Sequence, residues 1–317
     1  MRYIYKKLTV SQYLIKLYEK GLKKSNYLTQ KEIENKIQDI GIFKIKGYIK
    51  SFRKRLFYYS IDDVLELYEI DREISSKLFF LSSQIEIKLK AYLIDSVYEL
   101  TDNPFFYLLK TSYIENFELN NDSIFGWEIK QNYSITNEEL YLHYQEYYLK
   151  NYSFELNKEY YLFEKNLIID KNKNINYPPF HYFVENLTLG SLIKLLSKLK
   201  IEDKILLKVV AKKFGFYNEK VFLNYLLRVK ELRNRCAHNG RLFNRNYRSI
   251  KASGFYKELR KEIYHYRLLD VYYTLLLLLD NVNNIKNSND LELQFKNRIL
   301  GKVSDKLTKF LMNNLKR

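Results

Sequence analysis

The chain has 317 residues, 46% hydrophobic and 29% charged, enough for one large or two ordinary domains with a buried core. Its 54 Lys+Arg exceed its 37 Asp+Glu, giving a formal charge of +17, and a lone cysteine, Cys236, excludes an internal disulfide framework and a cysteine-based zinc cluster. The longest apolar stretch, from Val271 to Leu279, is about half of a bilayer span, and no charged-apolar-small leader pattern opens the chain, so a soluble cytoplasmic protein with no membrane partner is expected.

Three prolines and nine glycines punctuate a sequence whose apolar residues recur at three-and-four spacing, which predicts an all-α fold. Thr9-x-x-Gln12 and Thr29-x-x-Glu32 each have the form of a capping box, so two short helices are predicted at the start, the first closed by Gly21 and the second carrying Ile33, Ile37 and Ile40 on one face. From Ile61 the positions Val64, Leu65, Tyr68, Ile74, Leu78, Ile85, Leu89 and Leu93 fit one or two long amphipathic helices ending near Val97. Residues 111–177 differ in kind: acidic, rich in Asn and Tyr, and holding the lone Trp127, they read as an insertion or subdomain. The expected organisation is an N-terminal helical half (1–110), this insertion, and a C-terminal helical half (178–317), together one composite domain. After the turn at Tyr177-Pro178-Pro179, two short helices are predicted over 180–200, a third over 202–214, a fourth over 219–237 stopped by Gly240, and a last long one over 257–281.

Charge is segregated. Residues 201–270 hold 17 Lys+Arg against 7 Asp+Glu, whereas residues 101–170 hold 5 against 12. A basic field attracts polyanions and speeds their encounter, so nucleic acid is the expected partner class. Inside the basic block lies Arg233-Asn234-Arg235-Cys236-Ala237-His238, within the run LRNRCAHNGRLFNR. It joins a permanent cation, an amide and the one side chain that titrates near neutrality, a set suited to cutting a phosphodiester without a metal or a cofactor. At helical spacing Asn234 and His238 share a face, so the amide is placed to orient the imidazole. Arg233 and His238 flank a groove in which a phosphate fits: the guanidinium binds its oxygens and His238 moves the proton. One imidazole cannot be acid and base together, so the chemistry predicts a homodimer with two copies of the motif across a two-fold axis.

Other polar residues have competing readings. Arg241 and Arg245 either hold flanking phosphates or sit on a solvated basic loop, and Arg235 either joins them or pairs with an acid. Arg72 and Glu86 read as an ion pair under the motif helix in preference to catalysis. A second Arg-x4-His match, Arg260 to His265, reads as an ordinary helix face, because Lys261 replaces the orienting polar residue. The histidines His143, His181, His238 and His265 are too scattered to suggest a zinc site.

The run LRNRCAHNGRLFNR resembles the signature of Abi-like abortive-infection proteins of the AbiD and AbiF type, in which a HEPN-type Arg-Asn-x-x-x-His motif precedes an Arg-Leu-aromatic-Asn segment. LTVSQYLIKLYEKGL, the IKGY at Ile45 to Tyr48, LYEIDREISSKL followed by IEIKLKAYL, PPFHYFVENLTLGSL and KKFGF extend the resemblance. It implies a HEPN-like helical bundle and a metal-independent endoribonuclease that leaves a 2',3'-cyclic phosphate and acts as a growth-arresting toxin in phage defence. It also implies an inhibitor, a noncoding RNA antitoxin in AbiF-type members. By position it assigns Arg233 and His238 to the catalytic pair and Asn234 to the orienting role, with Asp71, Arg72 and Glu86 at further polar positions. Two rivals remain open: a non-catalytic HEPN-type RNA-binding protein, and a DNA-binding regulator using the first two helices as a helix-turn-helix, although Glu32, Glu34 and Asp39 suit a major-groove reader badly.

Overall fold

The computed structural model describes residues 8–104, 106–108, 110–114, 180–251 and 267–279. Beyond Ile114 the predicted insertion lies outside the described residues, as do His143, Arg260, Lys261 and His265. Among the described residues there are nine α-helices, three short 3-10 helices and one two-stranded hairpin, an all-α fold. They fall into two compact units: one takes those within Met1–Leu81 and Glu231–Leu276, the other those within Ser82–Lys230 and Leu277–Asn284.

The first unit opens on α1 (Val10–Glu19) and α2 (Gln30–Ile40). Both predicted capping boxes form: Thr9 Oγ1 accepts the Gln12 N–H while Gln12 Oε1 accepts the Thr9 N–H, and Thr29 and Glu32 repeat the exchange. Leu14, Leu17, Ile33 and Ile37 are buried, so each helix turns one apolar stripe inward. Ten residues, Lys20 to Thr29, connect them, too many for the three- or four-residue turn of a helix-turn-helix. A third helix, α3 (Ile42–Phe52), follows at once. The sequence reading had no helix there, because only Gly41, at φ 93°, separates it from α2 and no capping side chain marks its start.

Helix α4 (Ile61–Tyr98) runs unbroken for 38 residues, its residues to Leu81 in the first unit and the rest in the second. Ser60 and Asp63 cap it reciprocally, and Asp62 accepts Ser25 Oγ (2.6 Å), fastening the α1–α2 connection to its start. Later in the chain, the described residues of the first unit include the end of α8 (Glu219–Ala237), the loop 238–251, and most of α9 (Leu268–Leu279).

In the second unit α5 (Phe180–Asn186) and α6 (Leu189–Leu196) are the two short helices expected. Extended backbone at Thr188 separates them, its hydroxyl accepting the Ser191 N–H to start α6. The predicted helix over 202–214 is corrected at its start. Lys200–Ile201 (β1) and Lys204–Ile205 (β2) pair as an antiparallel hairpin with Glu202 at φ 53°, and only Leu206–Lys213 (α7) is helical. The aromatic residues Phe106, Tyr107, Phe180 and Phe183 pack together, Tyr107 stacking on Phe183 at 4.7 Å. Lys88 donates to the carbonyls of Leu278 (3.1 Å) and Leu279 (2.9 Å) in α9. No described helix is long and apolar enough to cross a membrane.

Candidate active site

The motif occupies the last turn of α8 and its cap. The His238 N–H bonds the Asn234 carbonyl (3.0 Å), the Asn239 N–H the Cys236 carbonyl (3.0 Å) and the Gly240 N–H the Arg235 carbonyl (2.7 Å). This is a Schellman ending, with His238 as the cap and Asn239, at φ 52°, as the left-handed residue. Gly240 therefore ends the helix for a different reason than its flexibility: a Cβ there would stand 2.8 Å from Arg235 Cγ and 3.1 Å from the Arg235 carbonyl oxygen. His238 and Asn234 are exposed, Arg233 and Arg235 are half-buried, and Leu232 and Cys236 are buried beneath them. The buried side of the helix fixes what the exposed side presents.

The predicted amide-to-imidazole hydrogen bond is absent among the described residues: Asn234 and His238 are linked through the backbone. Arg233 lies over the Phe79 ring, 5.6 Å from its centroid, which holds the guanidinium by a cation–π contact. Arg235 pairs with Glu231 (3.1 Å) and lies over Tyr247 (5.1 Å), so it meets the acid that the sequence reading allowed for. Arg241 lies 6.0 Å from the Tyr48 ring centroid, its basicity lowered by burial and by the charge of Arg245. Arg245 is exposed.

Beneath the loop that follows His238 is a buried polar junction. The fully buried Asp71 carboxylate accepts the Tyr48 hydroxyl (2.6 Å), the Leu242 N–H (3.1 Å), the Phe243 N–H (3.1 Å) and Arg72 Nη2 (2.7 Å). Arg72 in turn donates to the Gly240 carbonyl (2.9 Å) and Asn239 Oδ1 (3.1 Å). Burial is the largest influence on the Arg72 guanidinium and works to lower it, but the hydrogen bond to Asp71 and the interactions with Tyr48 and the Asp71 charge together outweigh it, so the group is held more basic than usual. The expected ion pair of Arg72 with Glu86 is thus corrected to Arg72 with Asp71. Fourteen residues along one helix place Arg72 and Glu86 about 21 Å apart. Glu231 stands at i,i+4 spacing from Arg235, but Tyr48 and Asn239 escaped the sequence reading because their partners are 23 and 167 residues away, in Asp71 and Arg72. No spacing rule finds such pairs.

Burial pushes the Cys236 thiol up to about 11. It belongs to the packing of the helix end, and the thiolate that redox or nucleophilic chemistry requires is disfavoured there. His181 is half-buried and shares a hydrogen bond with the Tyr98 hydroxyl (2.7 Å), so it is a packed histidine in the second unit. No three His, Cys, Asp or Glu side chains among the described residues cluster as a metal site.

No curated protein and no solved structure matches the chain. The family model described as Abi-like protein matches residues 35–244, a span that holds Tyr48, Asp71, Arg72 and the motif from Arg233 to Asn244. With about two thirds of its length so matched, the chain belongs to the Abi-like protein family.

Proposed function

We propose that this protein is a metal-independent endoribonuclease of abortive infection, acting as a dimer in which two copies of the motif form one site. Membership of the Abi-like family points to abortive-infection defence against phage. The observation that carries the chemistry is the Schellman cap: it sets the His238 imidazole at an exposed helix end, next to the half-buried Arg233 turn, above a junction of buried hydrogen bonds. The cap fixes the backbone that carries His238 before any substrate binds, and acid–base catalysis demands that its proton-transfer group be positioned.

In this reading Arg233 binds a non-bridging phosphate oxygen and stabilises the charge that develops there. His238 of one copy takes the 2'-hydroxyl proton. The same residue in the second copy protonates the leaving 5'-oxygen, giving a 2',3'-cyclic phosphate. Asn234 orients substrate from the same face of α8. A protein with this activity harms its own host, so a neutralising partner, a noncoding RNA antitoxin, belongs to the proposal.

The test is induced expression of the native protein, Arg233→Ala and His238→Ala in a bacterial host, with total RNA sequenced for new 2',3'-cyclic phosphate ends. Growth arrest and new ends that vanish in both variants are expected, a loss of about 10²-fold or more in cleavage. Arrest that persists without such ends would favour RNA sequestration by a catalytically silent protein.

A further inference from the structure

Arg235, Arg245 and Arg267, with the amides of Asn244 and Asn246, line an open depression of about 500 Å³ in the first unit. Among the described residues the lining contains neither an acidic side chain nor Arg233, Asn234 or His238. It is therefore a second feature beside the motif.

The depression is built rather than incidental. Leu242 and Phe243 are tied to Asp71 at one end of the loop, and the Tyr247 hydroxyl returns to the Leu242 carbonyl (3.1 Å) at the other. Between these anchors residues 244–246 are exposed, with Asn244 at φ 53° making the turn. Arg235 is fixed from behind by Glu231 and by the Tyr247 ring, and its Nε is enclosed with no hydrogen bond. Glu231 also accepts the Arg248 N–H (3.1 Å), so one carboxylate holds both the guanidinium and the far end of the loop. Arg267 enters from the residue before α9.

The side chains of Arg235, Arg245 and Arg267 share one lining, and planar guanidinium forks match phosphate oxygens. The volume exceeds that of a bare phosphate and is that of a small-molecule site. Two amides supply both donors and acceptors beside the cations. We infer that this depression seats one phosphate-bearing nucleotide of a single-stranded RNA, its phosphate on Arg235, Arg245 and Arg267 and its ribose or base edge against Asn244 and Asn246. The choice of RNA rests on the ribonuclease reading; the shared lining by three arginines does not. The site anchors the strand away from the cleaving pair.

The experiment measures binding of a fluorescent 2'-O-methyl oligoribonucleotide, which lacks the nucleophile, to the full chain at several salt concentrations. Arg245→Gln, on an exposed residue that leaves the fold intact, and Arg267→Gln are expected to weaken binding about tenfold each. Each should also flatten the slope of log affinity against log salt by about 0.7, the value for one phosphate contact on a single strand. Lys36→Gln, remote from the loop in sequence and paired with Glu69, measures the effect of bulk charge alone. If both pocket variants lose no more affinity than Lys36→Gln, the site is overturned. If adenosine monophosphate displaces the oligonucleotide at equal concentration, the ligand is a free nucleotide and the RNA assignment is overturned. Cleavage of unmodified RNA by the native protein and by His238→Ala is read in parallel. Weakened binding in the pocket variants without cleavage by the native protein keeps the pocket and removes the ribonuclease. Unchanged binding in those variants, with cleavage abolished in His238→Ala, does the reverse.

Discussion

Asp71 is a fully buried carboxylate that four donors surround, and the loop carrying Arg241 and Arg245 hangs from it. Asp71→Asn keeps the shape but turns amide hydrogens toward those donors and leaves Arg72 without its counter-charge. A loss of about 3 kcal/mol in urea unfolding is expected, as for breaking a buried pair from one side, together with loss of RNA cleavage as the loop moves. Unchanged unfolding would mean that the junction contributes no stability. Cys236 gives a prediction of opposite kind. Because burial raises its thiol to about 11, the folded state holds its proton more tightly than the unfolded state does. This contribution to stability is whole below the unfolded thiol range near 8.5 and is lost as pH rises from there through about 11. The native protein should therefore resist thiol alkylation at pH 8 until denaturant is added, and Cys236→Ala should flatten the alkaline fall in stability. Rapid alkylation of the folded protein would contradict this.

At the scale of elements, the two capping boxes are the local signals that the structure honours most fully. Thr9→Ala removes the hydroxyl that accepts the Gln12 N–H and should cost about 1 kcal/mol in thermal or urea unfolding. The Glu32 carboxyl is held below its usual range, first by the Thr29 side chain and then by the Thr29 backbone N–H. Its folded form therefore binds a proton less readily than its unfolded form, and the cap's contribution is present above about pH 4 and lost as pH falls through the folded value. Glu32→Ala should lower the melting temperature at pH 7 by a margin that closes in acid; a margin independent of pH would show that packing, not the cap, is responsible. The helices over 10–20, 30–40, 61–98, 180–200 and 219–237 were legible because capping residues and apolar spacing act within one or two turns. Helix α3 and the hairpin before α7 were not, because Gly41 and Glu202 change the backbone at single residues with no sequence pattern of their own.

At the scale of the molecule, the proposed chemistry needs two imidazoles, and a chain with one motif supplies them only by self-association. Cleavage per chain should accordingly fall as the protein is diluted below the concentration at which sedimentation shows the dimer dissociating. Activity that stays constant through that transition would remove the second copy from the mechanism. Net charge acts at the same scale: at +17 the protein attracts polyanions over distances of a Debye length, but that attraction does not choose among them. Choice requires fixed groups, and those are set by contacts between segments distant in the chain.

The sequence by itself determined the helical class, the capped starts of α1 and α2, and the position of Arg233, Asn234 and His238 at the end of a helix. All of these follow from interactions between residues no more than a few positions apart. Tertiary structure alone decided that Asp71 gathers Tyr48, Leu242 and Phe243, that Arg72 bridges to Asn239 and Gly240, and that Arg267 joins Arg235 and Arg245 around one depression. Those outcomes depend on which buried donors find acceptors once the chain has closed, and that is a property of packing across more than 150 residues of separation, as between Arg72 and Gly240.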